Sequence, residues 1–346
     1  MSTLAVIRDD RYLDHIAGDM HPESPDRLRV IHDLLAREFP ALPLIAPRLA
    51  TGDELALVHE PSYIETVART EGVAFSSLDA DTGLCAKSYE TARLAAGGLL
   101  AAVDALFDPK TAHPKSVFAF VRPPGHHAER GRGMGFCLFN NVAVAAEYAI
   151  ERHGLGRVLI VDWDLHHGNG TQRAFYDRRD VLFWSSHQFP HYPGTGDFDE
   201  VGSGAGEGYT VNAPFPHGFG DAEYHAVYRR VLTPIALDYR PELVLVSAGF
   251  DPYYKDPLGG MRLTGDGFGL LAAIVREIAE ETCGGRVLIT LEGGYNPEGL
   301  REGVRSVLQA LSGPRRPVTA VAAPKAERVI QAITAHHRKY WTCLTA

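Results

Sequence analysis

Asp164 and His166 stand two residues apart where an apolar run gives way to Asp162-Trp163-Asp164-Leu165-His166-His167-Gly168-Asn169-Gly170. On an extended strand, that spacing puts a carboxylate and an imidazole on the same side, a natural two-point clip for a divalent metal. A third ligand is available from Asp256, in Lys255-Asp256-Pro257. Three protein ligands leave one position for water, which marks a catalytic rather than a structural metal site. Two Asp and two His around a single Trp exceed what capping the next helix would need. A tandem pair, His126-His127, follows an Arg122-Pro123-Pro124-Gly125 turn at the end of another apolar run. Paired imidazoles aimed at a metal crevice suit acid–base work. Such rings need a partner on the far nitrogen to fix tautomer and basicity, and Asp162 and Asn169 are the candidates. Tyr295 lies in Gly293-Gly294-Tyr295-Asn296, where the glycines let the backbone turn a phenol toward a developing oxyanion. The chemistry these residues share is metal-assisted hydrolysis.

Scattered positions meet only if the chain brings them to one edge. Five β-branched runs, at residues 116–121, 157–161, 181–184, 243–246 and 287–291, each end in one of these polar clusters or a similar one. Short continuous apolar runs suit parallel strands buried on both faces, and ligands in open α/β sheets bind beyond the carboxyl ends of such strands. Helical patterns alternate with them at 141–153, 170–176, 221–237, 265–281 and 299–311. The alternation predicts an α/β fold with a central, mainly parallel sheet and helices on both faces. The first third reads as a leading strand at 4–8 and helices at 24–37, 61–69 and 87–105, the first with Ser24 as N-cap and Pro25 at its opening position. The glycine-dense Gly202-Ser203-Gly204-Ala205-Gly206-Glu207-Gly208 follows an acidic run and opens no helix, so it reads as a flexible surface loop rather than a phosphate cradle. One domain over 1–346 is expected, with its core at about 4–312, a linker at 314–324 and an amphipathic helix at 325–341.

At 346 residues, 45% hydrophobic and 22% charged, the chain has an ordinary globular composition. Its formal charge of −9 argues against nucleic acid, which needs a basic footprint, while leaving a cationic substrate welcome. The four cysteines, Cys85, Cys137, Cys283 and Cys343, form no CxxC pair, so neither a zinc knuckle nor a disulfide framework is expected. The leading apolar run is too short for a signal peptide, and no stretch approaches the ~20 apolar residues of a membrane span. The expected setting is cytoplasmic, without membrane contact.

Taken in order, His21-Pro22-Glu23-Ser24-Pro25-Asp26-Arg27-Leu28, Arg122 to His127, Gly135-Phe136-Cys137-Leu138-Phe139-Asn140-Asn141, Asp162 to Gln172, Pro193-Gly194-Thr195-Gly196, Ala248 to Pro257 and Leu291 to Asn296 resemble the zinc-dependent histone deacetylase superfamily. The likeness is to its class II side, shared with bacterial histone deacetylase-like amidohydrolases and acetylpolyamine amidohydrolases, and spans residues 15–310. The resemblance implies the arginase–deacetylase fold and hydrolysis of an N-acyl bond on a primary amine, with Zn2+ held by Asp164, His166 and Asp256. It implies His127 as principal general base and acid, partnered by Asn169, His126 with Asp162 as the electrostatic pair, and Tyr295 as oxyanion donor. Phe136 and Tyr192 match the aromatic walls of the family's acyl-lysine tunnel, the Gly135 carbonyl the acceptor for the substrate amide, and Asp81 a rim residue. At Leu258 polyamine-selective members often carry an acidic gatekeeper. An apolar residue there points to acyl-lysine or neutral acyl-amine substrates. The family also binds K+, here through Asp162, Asp164, His166 and Ser185, with a second monovalent site at Phe175, Arg178, Val181 and Tyr209.

Two rival readings are a catalytically silent protein that recognises acylated ligands, and a ureohydrolase of the same fold with two Mn2+ ions. The ureohydrolase needs a second set of bridging aspartates where this chain has His126 and His127. A two-carboxylate, one-imidazole set does not by itself choose between Zn2+ and Fe2+. The segment through Arg27 and the helix at 325–341 are the candidate contacts of a homo-oligomer.

Overall fold

The computed structural model describes residues 4–108, 114–314 and 323–344. Its strands are β1 (Leu4–Ile7), β2 (Ser76–Ser77), β3 (Gly83–Leu84), β4 (Ser116–Ala119), β5 (Val158–Asp162), β6 (Val181–Gln188), β7 (Thr210–Phe215), β8 (Leu243–Ala248) and β9 (Val287–Leu291). β2 and β3 pair as a small antiparallel ladder, and the other seven form a parallel sheet in the order β1-β4-β9-β8-β5-β6-β7. The helices are α1 (Asp26–Glu38), α2 (Gly52–Leu55), α3 (Pro61–Ala68), α4 (Ser88–Phe107), α5 (Asn141–His153), α6 (Asn169–Phe175), α7 (Asp221–Val227), α8 (Thr233–Tyr239), α9 (Gly265–Cys283), α10 (Pro297–Ser312) and α11 (Glu327–His337). This is the parallel-sheet α/β architecture that the strand–helix alternation predicts, and the arginase–deacetylase fold that the family resemblance implies. Among the described residues, no helix is long and apolar enough to cross a membrane.

The chain divides into two compact units, one of residues 1–155, 168–174 and 288–293, the other of 156–167, 175–287 and 294–346. In the first, β1 and β4 pair in register from Leu4 with Ser116 to Ile7 with Ala119, and α4 lies against β4. A fully buried ion pair ties this unit together: Arg122 donates to both Glu23 carboxylate oxygens, at 2.5 and 2.6 Å, and to the carbonyls of Tyr12 and His15 at 3.0 Å. Burial alone would raise the Glu23 carboxyl, but Arg122, His15 and Arg27 hold it down at about 2. In the second unit every position of β5 and β8 is buried, and the register sets Asp162 beside Ser185 on β6 and Ser247 on β8. Side chains at the ends of three neighbouring strands thus come level.

Several elements differ from the sequence reading, each for a local reason. Strand β7 escapes the apolar-run pattern because Pro214 interrupts it, and a proline is tolerated on an edge strand such as this one. The helix expected over 221–237 is broken into α7, a π-turn at Tyr228–Leu232 and α8, with the Thr233 amide reaching the Tyr228 carbonyl just before Pro234. Helix α1 begins at Asp26 without a side-chain cap from Ser24. The 202–208 loop is not a loose tether. A Cβ at Gly206 would stand 2.5 Å from the Arg178 amide, and one at Gly208 2.5 Å from the Tyr340 ring, while Trp341 donates its indole N–H to the Gly208 carbonyl at 2.8 Å. Gly206 and Gly208 serve close approach, not flexibility. Most of the expected 314–324 linker lies outside the described residues.

Candidate metal and acid–base centre

The first unit holds the histidine pair. His126 and His127 are buried, with ring centroids 4.0 Å apart. Glu292, at the end of β9, accepts the amides of Gly125 and His126 at 2.7 and 3.2 Å, which fixes the turn they ride on. The His126 carbonyl in turn accepts the amides of Gly170 and Thr171 at the start of α6. Asn169, on that helix, meets His127 Nδ1 through its carboxamide oxygen at 2.7 Å, and its Nδ2 donates to Glu129 Oε1 at 3.0 Å. Glu129 thereby sets which way the amide faces, and the amide oxygen selects the Nδ1–H tautomer, leaving Nε2 as the basic nitrogen of His127.

Beside this pair, Gly135 and Phe136 both adopt left-handed backbone, at φ 56° and 69°. A Cβ at Gly135 would run into the His127 ring, so only glycine fits there. Phe136 pays for its strained φ with anchors on both sides. Its amide donates to Thr82 Oγ1 at 3.2 Å, and its ring meets His21 edge-on at 4.6 Å. Strain held this firmly usually serves a binding surface. Asp81 is half-buried next door, its carbonyl bonded to His21 Nε2 at 3.2 Å and its carboxyl raised by burial and by neighbouring Asp79.

The second unit gathers the carboxylates. Asp162, fully buried, accepts the Asp164 amide at 3.0 Å, and Asp164 accepts the His166 amide at 2.8 Å, so each side chain is set by the residue two further on. His166 Nδ1 lies 3.1 Å from Asp164 Oδ1 and 3.2 Å from Asp251 Oδ2, while Asp251 Oδ1 accepts the Leu165 amide at 2.9 Å. Among the described residues, Asp164, His166 and Asp251 are the group whose ligand atoms all lie within 4.8 Å of one another. A tetrahedral ion with ligands at about 2.1 Å would hold its donors about 3.4 Å apart, so the set fits a divalent metal. Charge agrees with geometry. Burial disfavours an imidazolium, yet Asp164 and Asp251 outweigh it and raise His166 to about 10, and the Asp251 carboxyl is itself raised by burial and by Asp164.

Asp256, the expected third ligand, stands apart from that three-residue group. Asp256 spends its oxygens on backbone amides: Oδ1 accepts from Leu258 at 3.0 Å, and Oδ2 from Tyr295 at 2.7 Å and Asn296 at 3.1 Å. It clamps the Tyr295 turn, and its carboxyl is raised to about 7 by burial and by Asp251. Asp251 follows Ala248-Gly249-Phe250 at the strand end, and a Cβ at Gly249 would collide with the Asp164 carboxylate.

Of the other expected residues in this unit, Tyr192 is 38% exposed and turns its ring edge toward His166 at 6.1 Å, and Leu258 is half-buried. Ser185 bonds His187 Nδ1 at 2.9 Å. At the expected second monovalent site, the Phe175 and Tyr209 carbonyls accept the amides of Arg178 and Phe183, and Val181 pairs with Val158 in the sheet. Glu292, Glu129 and His191 are contributors that motif reading passed over.

A family profile for the histone deacetylase domain matches residues 21–311. This chain belongs to the histone deacetylase family. As a member it is a hydrolase of the deacetylase class. It is 42% identical over 311 residues to "Histone deacetylase 10, chloroplastic" of Oryza sativa subsp. japonica, covering 85% of this chain and 70% of that protein. It is 40% identical to human "Polyamine deacetylase HDAC10" over 99% of this chain but 53% of that one, and 35% identical to a "Probable deacetylase" of Archaeoglobus fulgidus over 98% of each. The chain thus spans about half the length of some of the relatives it matches. The crystal structure of the HDA15 HD domain superposes with a TM-score of 0.91 at 38% identity, covering 99% of this chain and 98% of that one.

Proposed function

We propose that this deacetylase removes acetyl or other acyl groups from N-acylated primary amines, acyl-lysine side chains foremost, at a Zn2+ site made by Asp164, His166 and Asp256, with the Asp251 carboxylate beside His166. The observation that carries the reading is the cluster of carboxylates around His166, in a chain of the deacetylase family. Bound there, the ion supplies Lewis-acid polarisation of the acyl carbonyl and of the attacking water. Fe2+ fits the same donors.

The chain's own residues do the rest. His127 Nε2 takes the proton from water as it attacks the acyl carbon, and later delivers it to the departing amine nitrogen. Asn169 keeps His127 in the required tautomer through the 2.7 Å bond to Nδ1. His126, with Asp162 as its acidic partner, adjusts the charge felt by His127. The Tyr295 hydroxyl donates to the oxygen that gains charge in the tetrahedral adduct. Phe136 and Tyr192 flank the amine's carbon chain, the Gly135 carbonyl accepts the substrate amide N–H, and Asp81 grips the substrate at the rim. K+ bound near Asp162, Asp164, His166 and Ser185, and at a second site by Phe175, Arg178, Val181 and Tyr209, would stabilise the strand ends.

A second reading, acetylpolyamine hydrolysis, draws on the human relative named for polyamines. Leu258 favours the first reading, because an apolar side chain offers no counter-charge to a second ammonium. The Zn2+-loaded protein should hydrolyse acetyl-lysine and longer acyl-lysine peptides faster than acetylputrescine or acetylspermidine, and a hydroxamate should abolish the reaction. Preference for the polyamines would keep the chemistry and overturn the substrate assignment; inertness toward all of them would favour a catalytically silent binder.

A further inference from the structure

The loop after β6 and the loop after β8 are joined by one side chain. The His191 ring stacks on His166, with centroids 5.3 Å apart and planes at 26°. Its Nε2 meets the Leu258 carbonyl at 3.1 Å, which makes it the N–H donor. Asp256 accepts the Leu258 amide at 3.0 Å, so both polar ends of residue 258 are held. Gln188, at the end of β6, adds a parallel tie by accepting the Gly260 amide at 2.9 Å. The Gly194 amide closes a turn onto the His191 carbonyl at 2.8 Å, and Tyr192 rides on that turn. A phenyl ring could supply the stack but not the N–H, and a carboxamide the N–H but not the stack. Imidazole supplies both.

We infer that His191 is a positioning residue: it fixes the spacing between Tyr192 and Leu258, and so selects which amine chains the deacetylase accepts. This rests on the function proposed above, in which those two side chains flank the substrate. With the hydrogen bond removed, the Leu258 segment keeps its amide bond to Asp256, the Gln188 tie and the Gly218 amide on the Gly260 carbonyl but loses its link to the Tyr192 turn, and the fit to a slender four-carbon chain loosens. Binding of the chain should suffer while the bond-breaking step, which belongs to other residues, should not.

Two variants separate the hydrogen bond from the stack. His191→Phe should raise KM for an acetyl-lysine peptide about tenfold, the worth of one well-made hydrogen bond, with kcat changed by about twofold or less. It should also narrow discrimination against an acetyl-lysine analogue branched on its side chain. His191→Gln, which keeps a donor, should recover most of the lost KM. Hydrogen exchange at the amides of residues 258–262 should be faster in His191→Phe than in wild type and near normal in His191→Gln. An unchanged KM in His191→Phe, or equal losses in both variants, would overturn the inference. If the wild type hydrolyses none of the substrates, the proposed function fails, and the exchange comparison still decides whether His191 fastens the loop.

Discussion

The segments that follow β5 and β8 are built from the same residue types but fix their carboxylates by different means. After β5 the chain carries its strand periodicity onward. Asp162 accepts the Asp164 amide and Asp164 the His166 amide, so the i, i+2 spacing alone says which side chains share a side. After β8 the strand has ended at Ala248 and periodicity no longer applies. Two aspartates, Asp251 and Asp256, stand here, and backbone amides hold them differently. Asp256 accepts three, while Asp251 accepts one and turns its other oxygen to His166. A carboxylate oxygen has two lone pairs, so accepting an N–H leaves it able to meet a cation: Asp164 Oδ1 takes the His166 amide and still faces the His166 ring.

The contrast is most exposed to an Asp251→Asn and Asp256→Asn pair. Asp256→Asn should lose most bound Zn2+ by elemental analysis and cut turnover about a thousandfold, in keeping with several kcal/mol of Lewis-acid assistance. Asp251→Asn should keep one Zn2+ per chain. The opposite pattern would make Asp251 the third ligand. Next in size, Tyr295→Phe should lower kcat about a hundredfold or more with metal content intact, and near-normal turnover would remove the oxyanion role. Asn169→Ala should cost about ten- to a hundredfold in kcat, as loss of a ring-orienting partner does.

The smallest effect is one of pH on the metal-free protein. Burial holds His15 and His59 down at about 4, so each contributes stability above pH 6.5 that is lost as pH falls through 4. Asp256, raised to about 7, does the reverse: its contribution is complete below about pH 4 and is lost as pH rises through 7. Thermal unfolding of metal-free protein should therefore peak near pH 6 and decline above it, and Zn2+ should flatten the alkaline side. A Tm that keeps rising to pH 8 would contradict the raised Asp256 carboxyl.

Much of this was legible in the residues themselves. The five apolar runs became β4, β5, β6, β8 and β9, and the helix at 141–153 matches α5 to the residue. The Asn169–His127 bond joins two residues singled out by type alone. What stayed hidden depends on tertiary neighbours. Pro214 masks β7 because an edge position cannot be read from a run of letters. The approach of Asp251 to His166 needs the fold of a stretch with no period. Glu292 and Glu129 act on backbone or amide groups, which leave no spacing signature.

The clasp between the glycine-dense loop and the residues after α11 has a practical corollary. Trp341 is 6% exposed, its indole bonded to Gly208 and its ring set edge-on to Tyr209 and Tyr239. A chain shortened before Glu327 would uncover those aromatic rings and the Gly208 carbonyl in one cut. Stickiness during purification, rather than a dead enzyme, would be the first symptom. The emission of Trp341 offers an optical gauge of whether that end of the chain is seated before any assay begins.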